Sequence, residues 1–492
     1  MIFDESSLSM LKNMLPSKAI FSRHTLAASV AVTLLTLGLW ECLLGWEQLL
    51  GFRSSHHSLY PATGSFFNPG PYCGFLAMIA PFALYYALEN DKKVLCWMGI
   101  VYLVAALGIM PALMGRTGWI AAVTGCTAVG VGCGSISRPR RWTLIVVIGA
   151  AIVAMAFLVW LKPSSALGRL LLWRIGLSSL ISSPLTGVGW EHVAGVLGDA
   201  QEAYFTAFPQ SVFSSVAGVP CYAFNEFIQI GIAFGIPGML LFVGVLAGAF
   251  MMGWRSRSYG MAGSVLAFAV VCSSSYPLQF REYVAAITLL LIYGVLRWRR
   301  LGIAGIALAC GVISAGGLIA CGNIAERDSR NSAWQAKRYT CLYRLSDDTV
   351  KELDSLMAVY NTDPEFLFDY GKALRLSNRF EKSNRVLMRG LEVSSDPMFL
   401  NLIGHNYQDM GDYDRAESYY LRSTRRLPGR LYPYYLLAVM YADSACCSPA
   451  KLEAVAAKAI AMEPKVMSPA ISEMKSHILH LCDSLDMSLG EK

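Results

Sequence analysis

The chain has 492 residues, of which 55% are hydrophobic and only 15% charged. Soluble globular proteins carry about 25% charged residues, so this composition excludes an ordinary soluble protein and points to a polytopic membrane protein. The net charge of +7 fits basic residues anchoring loops on one side of a bilayer better than a nucleic-acid surface, and no nucleic-acid partner is expected. The thirteen cysteines show no paired C-x-x-C spacing, so no metal site is expected.

Apolar runs near the ~20 residues a bilayer requires lie at 25–46, 71–89, 95–113, 117–134, 142–161, 225–250, 261–277, 283–297 and 302–320. The first lacks a small-residue cleavage site and reads as an anchor rather than a cleaved signal. With the N-terminus inside, the inner segments carry Lys12, Lys18, Arg23, Lys92, Lys93, Arg138, Arg140, Arg141, Arg255, Arg257, Arg297, Arg299 and Arg300. The outer segments carry Arg53, Arg116, Lys162, Arg169, Arg174 and Arg281. That asymmetry follows the positive-inside rule. An odd number of spans then places the C-terminus outside, in the periplasm of a Gram-negative inner membrane. Acidic residues are sparse before 322 and ordinary after it, so the sequence divides into a membrane domain, 1–321, and a soluble-like domain, 322–492.

The longest outer loop is 162–222. It begins Gly168-Arg-Leu-Leu-Leu-Trp-Arg-Ile-Gly-Leu-Ser-Ser-Leu-Ile, whose spacing predicts an amphipathic helix lying at the membrane surface. Pro184-Leu-Thr-Gly-Val-Gly-Trp follows as a turn. The run 223–243 closes the loop and enters the next span. Asn225 and Glu226 sit where water gives way to lipid, and polar groups at that depth are costly unless paired or functional. Gly235, Pro237 and Gly238 come later in the run, as expected where a helix breaks or a neighbour packs close.

The C-terminal domain repeats. Asp363-Pro-Glu-Phe-Leu-Phe-Asp-Tyr-Gly371 returns as Asp396-Pro-Met-Phe-Leu-Asn-Leu-Ile-Gly404 at an offset of 33, which Leu374/Tyr407, Phe380/Tyr413 and Ser383/Ala416 keep. A looser third copy runs from Leu431 to Pro464. The pattern resembles tetratricopeptide repeats, whose period is ~34. The expected fold class is therefore all-α: a nine-span helical membrane domain followed by a tetratricopeptide-like α-solenoid.

Residues 223–243 resemble the family of O-antigen ligases, O-antigen polymerases and pilin O-oligosaccharyltransferases. In that family a His-Asn pair ends the large periplasmic loop, and a Gly lies eleven residues after the His. Asn225, Glu226, Gln229, Gly235 and Gly238 fit this pattern, while Phe224 stands in place of the His, the family's proposed base. Arg169, the following Trp and the Pro184-Leu-Thr-Gly-Val-Gly turn match the family's loop. Gly64-Ser-Phe-Phe-Asn-Pro-Gly and Gly115-Arg-Thr-Gly-Trp resemble shorter motifs of the same family.

The resemblance implies transfer of a glycan from an undecaprenyl-diphosphate carrier to an acceptor hydroxyl, without metal or cofactor, at the periplasmic face. The acceptor would be lipid A core, a growing glycan or a protein. Developing diphosphate charge calls for arginine, whose planar fork binds phosphate oxygens in pairs. Arg116, Arg169, Arg174 and Arg281 qualify by location. Each is open to a second reading, as an interfacial anchor or, for Arg281, as the ion-pair partner of Glu282. The acceptor proton calls for a base, and Glu226, Glu191 and His192 are the candidates, alongside a reaction carried by charge neutralisation alone. Asn225 either orients substrate or caps a helix. The expected partners are the carrier-linked glycan, its acceptor, the lipid bilayer and a protein recruited by the repeats. Two alternatives stand beside the transferase: a surface-polysaccharide polymerase, and a catalytically silent membrane scaffold, which Phe224 favours.

Overall fold

The computed structural model describes residues 22–89, 92–134, 163–298, 300, 302–343, 346–463 and 468–485. The described residues are helical, joined by turns and bends. The expected span at 142–161 and the inner basic residues Lys12, Lys18, Arg138, Arg140, Arg141 and Arg299 lie outside them. Each other expected span overlaps a helix; 261–277 is helical only to Cys272, and 302–320 belongs to the longer helix Ile303–Tyr343. Among the described residues, five helices are long and apolar enough to cross a membrane: Arg23–Leu49, Pro69–Leu88, Lys93–Leu113, Glu226–Arg255 and Gly305–Arg338. Tyr259–Cys272 is apolar but shorter.

The chain forms two compact units, Met1–Trp160 with Leu240–Glu326, and Leu161–Met239 with Arg327–Lys492. The first contains α1 (Arg23–Leu49), α2 (Pro69–Leu88), α3 (Lys93–Leu113) and α4 (Arg116–Gly132). The second half of α7 (Glu226–Arg255), α8 (Tyr259–Cys272), α9 (Arg281–Arg297) and the apolar start of α10 (Ile303–Tyr343) complete it.

Helix α2 is its centre. It is apolar all round, so it is stable only when surrounded, and Tyr72 to Ala83 are buried against α3, α4 and α8. Small residues let the neighbours close in. A β-carbon at Gly125 of α4 would lie 2.6 Å from the Gly263 carbonyl oxygen of α8. The opposite side of α3 exposes Val94, Trp97, Val101 and Val104 at helical spacing, a stripe suited to lipid.

One end of this unit is tied together by polar side chains of α1. Gln48 Oε1 accepts from the Thr63 and Gly64 amides at 2.8 Å, and its Nε2 donates to the Gly64 carbonyl at 2.9 Å. Glu41 accepts from the Ser65 hydroxyl at 2.8 Å and amide at 3.1 Å. Phe66, next in the loop, is buried against Phe75, Phe280 and Tyr283.

The second unit joins the outer loop to the C-terminal helices. The loop supplies α5 (Pro163–Ser182), α6 (Val193–Ala207) and the first half of α7. Leu171, Ile175 and Leu180 of α5 pack with Leu197, Phe205, Ile228 and Ile232 in one core. Leu170, Leu177 and Ile181 remain exposed on another side of α5. The helix thus carries an inner apolar stripe and an outer one.

The C-terminal part of the unit is built from helix pairs: α12 (Pro364–Leu376) with α13 (Phe380–Val393), α14 (Met398–Asp409) with α15 (Tyr413–Arg426), and α16 (Leu431–Ala442) with α17 (Pro449–Ala461). Helix α11 (Asp347–Tyr360) precedes them and α18 (Pro469–Ser484) follows. The 33-residue offset recurs in three dimensions. Gly371 lies against Leu387 and Gly404 against Tyr420, too close for a β-carbon. Asn378 and Gly411 both turn the chain with positive φ. Trp334, in the last turns of α10, is buried against Phe366 and donates to Asp369, so α10 contributes to the core of the first pair.

Candidate functional site

The loop closes on a tight turn, and its side chains explain how it holds. Asn225 Oδ1 accepts from the Phe227 and Ile228 amides at 3.0 and 3.2 Å, which caps the free N–H groups that begin α7. Gln229, one turn on, is buried and accepts from the Ala223 amide at 2.9 Å. Trp173 of α5 donates its indole N–H to the Phe224 carbonyl at 3.3 Å. Phe224 itself takes φ of 50°, a left-handed conformation that bulky residues rarely adopt. Glu226, the first residue of α7, is fully buried.

Nine residues after Glu226, α7 breaks. Gly235 has φ 70° and ψ −177°, a region essentially confined to glycine. The break frees backbone groups, and the Pro184-Leu-Thr-Gly-Val-Gly turn takes them up. Ile236 donates to the Pro184 carbonyl at 2.7 Å, while Val188 and Gly189 donate to the Ile232 and Ala233 carbonyls at 2.9 Å each. Trp190 stacks on Phe234 beside this seam. The two motifs that the sequence shows some fifty residues apart are therefore one structural element.

The candidate site residues fall on both sides of the division between units. Arg116 begins α4 and Arg281 begins α9, both in the first unit. Thr117, next to Arg116, shares a 2.8 Å hydrogen bond with Ser274 at the end of α8. Arg169 and Arg174 are on α5, in the second unit. Arg169 stands four residues before Trp173, so the two share a face of the helix, the one that meets the Phe224 turn. Arg174 is on another face and stacks over Tyr204 and Phe208, 5.0 and 5.3 Å from their ring centres. Glu191 and His192 form a 3₁₀ turn ahead of α6. Glu191 is exposed, and His192 Nδ1 meets the Glu392 carbonyl of α13 at 3.1 Å.

The sequence reading missed Glu41 and Gln48, which hold the Gly64 loop. A carboxylate in the middle of an apolar run was the available signal. It also missed Asp199, Glu202 and Arg426, which resemble ordinary surface charges in sequence. Among the described residues, no group of three or more His, Cys, Asp and Glu side chains is placed to hold a metal.

Residues 101–243 match the O-antigen ligase family. This chain carries an O-antigen ligase domain. The domain takes in Arg116, Arg169, Arg174, Glu191, His192, Asn225, Glu226 and both halves of the Gly187–Gly235 seam. The Gly64 loop, Arg281 and the C-terminal helix pairs lie outside the matched stretch. No curated protein and no solved structure matches the chain.

Proposed function

We propose that the chain is a membrane glycosyltransferase that moves a glycan from an undecaprenyl-diphosphate carrier to an acceptor hydroxyl of lipid A core or protein. The observation that carries this reading is the seam within the ligase domain. The turn at Gly187, the break at Gly235 and the capped turn at Asn225 support one another, next to the face of α5 that bears Arg169.

In this reading Arg169 binds the diphosphate and stabilises the charge that builds on it as the bond to the sugar breaks. The bonding electron pair leaves with the diphosphate, and the acceptor oxygen bonds to the anomeric carbon. The acceptor proton passes to a base, and Glu226, buried beside Asn225, is the candidate we favour. Arg174, already stacked on aromatic rings, has the structural role. Arg116 and Arg281, in the first unit, are proposed phosphate-binding arginines in their own right.

The charge asymmetry of the loops supports a periplasmic site and a periplasmic C-terminal domain. The helix pairs at offset 33 support reading 363–464 as tetratricopeptide repeats, suited to a protein acceptor or an assembly partner. One observation favours a second reading. Phe224 occupies the family's His position and cannot take a proton, as expected of a silent scaffold that recruits envelope proteins. Transfer assays on Arg169→Ala and Glu226→Gln separate the two: the transferase loses product in both, and the scaffold in neither.

A further inference from the structure

Helix α6, in the middle of the outer loop, is gripped by the C-terminal helix pairs. Arg426, the last residue of α15, is fully buried. Its guanidinium pairs with Asp199 and with Glu202, the latter at 3.0 Å, both on α6. Arg422, one turn earlier, binds Glu202 at 2.7 Å. Gln201 donates to the Arg426 carbonyl at 2.7 Å and to the Gly218 carbonyl at 2.9 Å, tying the far end of the loop to the same point.

Beside these contacts two glycines of α6 let the backbones come close. A β-carbon at Gly195 would lie 2.2 Å from the Glu392 carbonyl oxygen, and one at Gly198 would lie 2.8 Å from Ser395 Cα. Leu427 then enters the core formed by α5, α6 and α7. A buried arginine is tolerated only when its partners are held in place. The fixed position of Arg426 is therefore also a fixed position for α6.

We propose that the helix pairs are a positioning device for the ligase loop, acting through Arg426 and Arg422 on Asp199 and Glu202. Helix α6 is linked through the Trp190 turn to the Gly187–Gly235 seam, so the grip sets where that seam and the α5 face stand during transfer. This rests on the transferase reading. A contact surface of this kind controls geometry, and a misplacement of about 1 Å can cost about 100-fold in rate.

The test uses the full chain in membranes and reads glycan transfer together with membrane abundance. Arg426→Met removes the ion pairs with little change in volume, and Glu202→Gln serves as a milder second variant. Arg426→Lys, which keeps the charge, is the conservative control. The expected result is at least about a tenfold loss of transfer at wild-type abundance. The loss should fall on kcat with KM for the carrier-linked glycan little changed, and Arg426→Lys should recover part of it. A purely structural role would lower abundance and leave kcat per molecule unchanged.

The proposal is overturned if the ion-pair variants transfer like wild type, or if their loss of transfer merely follows a loss of membrane abundance. Arg169→Ala run alongside keeps the two claims apart. If it loses product while the ion-pair variants do not, the positioning role fails and the transferase stands. If it too matches wild type, the transferase reading has failed.

Discussion

The backbone of Gly187 lies directly against that of Ala233: a β-carbon added at Gly187 would sit 2.4 Å from the Ala233 carbonyl oxygen. Gly235 meets the Leu185 carbonyl in the same way, at 2.5 Å. Both glycines have positive φ. Gly187→Ala and Gly235→Ala should each destabilise the second unit, by ~1–3 kcal/mol from backbone strain alone and by more once the contact opens. Thermal unfolding of the purified protein checks this, and melting at the wild-type temperature would refute the seam.

Phe224→His should not lower the melting temperature. Histidine enters the left-handed region several-fold more readily than most residues, whereas a bulky ring there costs about 1–2 kcal/mol. The Trp173 contact is to the carbonyl and survives the change. The same substitution introduces a group that titrates near pH 6.5. If the family's base acts from this position, transfer by Phe224→His will rise with pH through that value while the wild type does not. A pH profile identical to wild type would remove position 224 from the chemistry.

Arg174 and Arg169 should separate. Arg174→Ala loses two cation–π contacts and should cost ~0.5–2 kcal/mol of loop stability, with a modest effect on transfer. Arg169→Ala should cost most of the transfer. Equal loss of transfer in both would mean that the assignment of roles along α5 is wrong.

The helix pairs should be acid-sensitive through His405. Burial, with Arg375 nearby, pushes its imidazole down to about 4. The folded state therefore takes up this proton later than the unfolded state, whose value is near 6.5. Its contribution is fully present above about pH 6.5 and is lost, at no more than ~1.4 kcal/mol per pH unit, as pH falls toward 4. His405→Gln should flatten the stability profile over that window. An unchanged slope would assign the acid sensitivity to other groups.

How much of this was readable in the sequence follows from the range of each interaction. The apolar runs were legible because burial in lipid requires length and composition, and both are local. The 33-residue repeat was legible because each pair solves the same packing problem, as Gly371 and Gly404 show. Pro184-Leu-Thr-Gly-Val-Gly and Gly235 were each legible as breaks, but their backbone pairing was not, since no spacing rule links residues that far apart. The grip on α6 was hidden for a further reason. Asp199, Glu202 and Arg426 have the residue types of a solvated surface, and only the fold makes Arg426 a buried charge with partners in a distant segment.

The proposed transfer of a carrier-linked glycan requires arginine to hold the diphosphate. The most direct measurement is product formation in a deletion strain complemented with wild type, Arg116→Ala, Arg169→Ala or Glu226→Gln, read as surface glycan and glycoprotein on gels at matched protein levels. Both arginine variants should lose the product, and Glu226→Gln should lose most of it. Wild-type product from all three variants would rule out the transferase and leave a scaffold, with Phe224 as its mark.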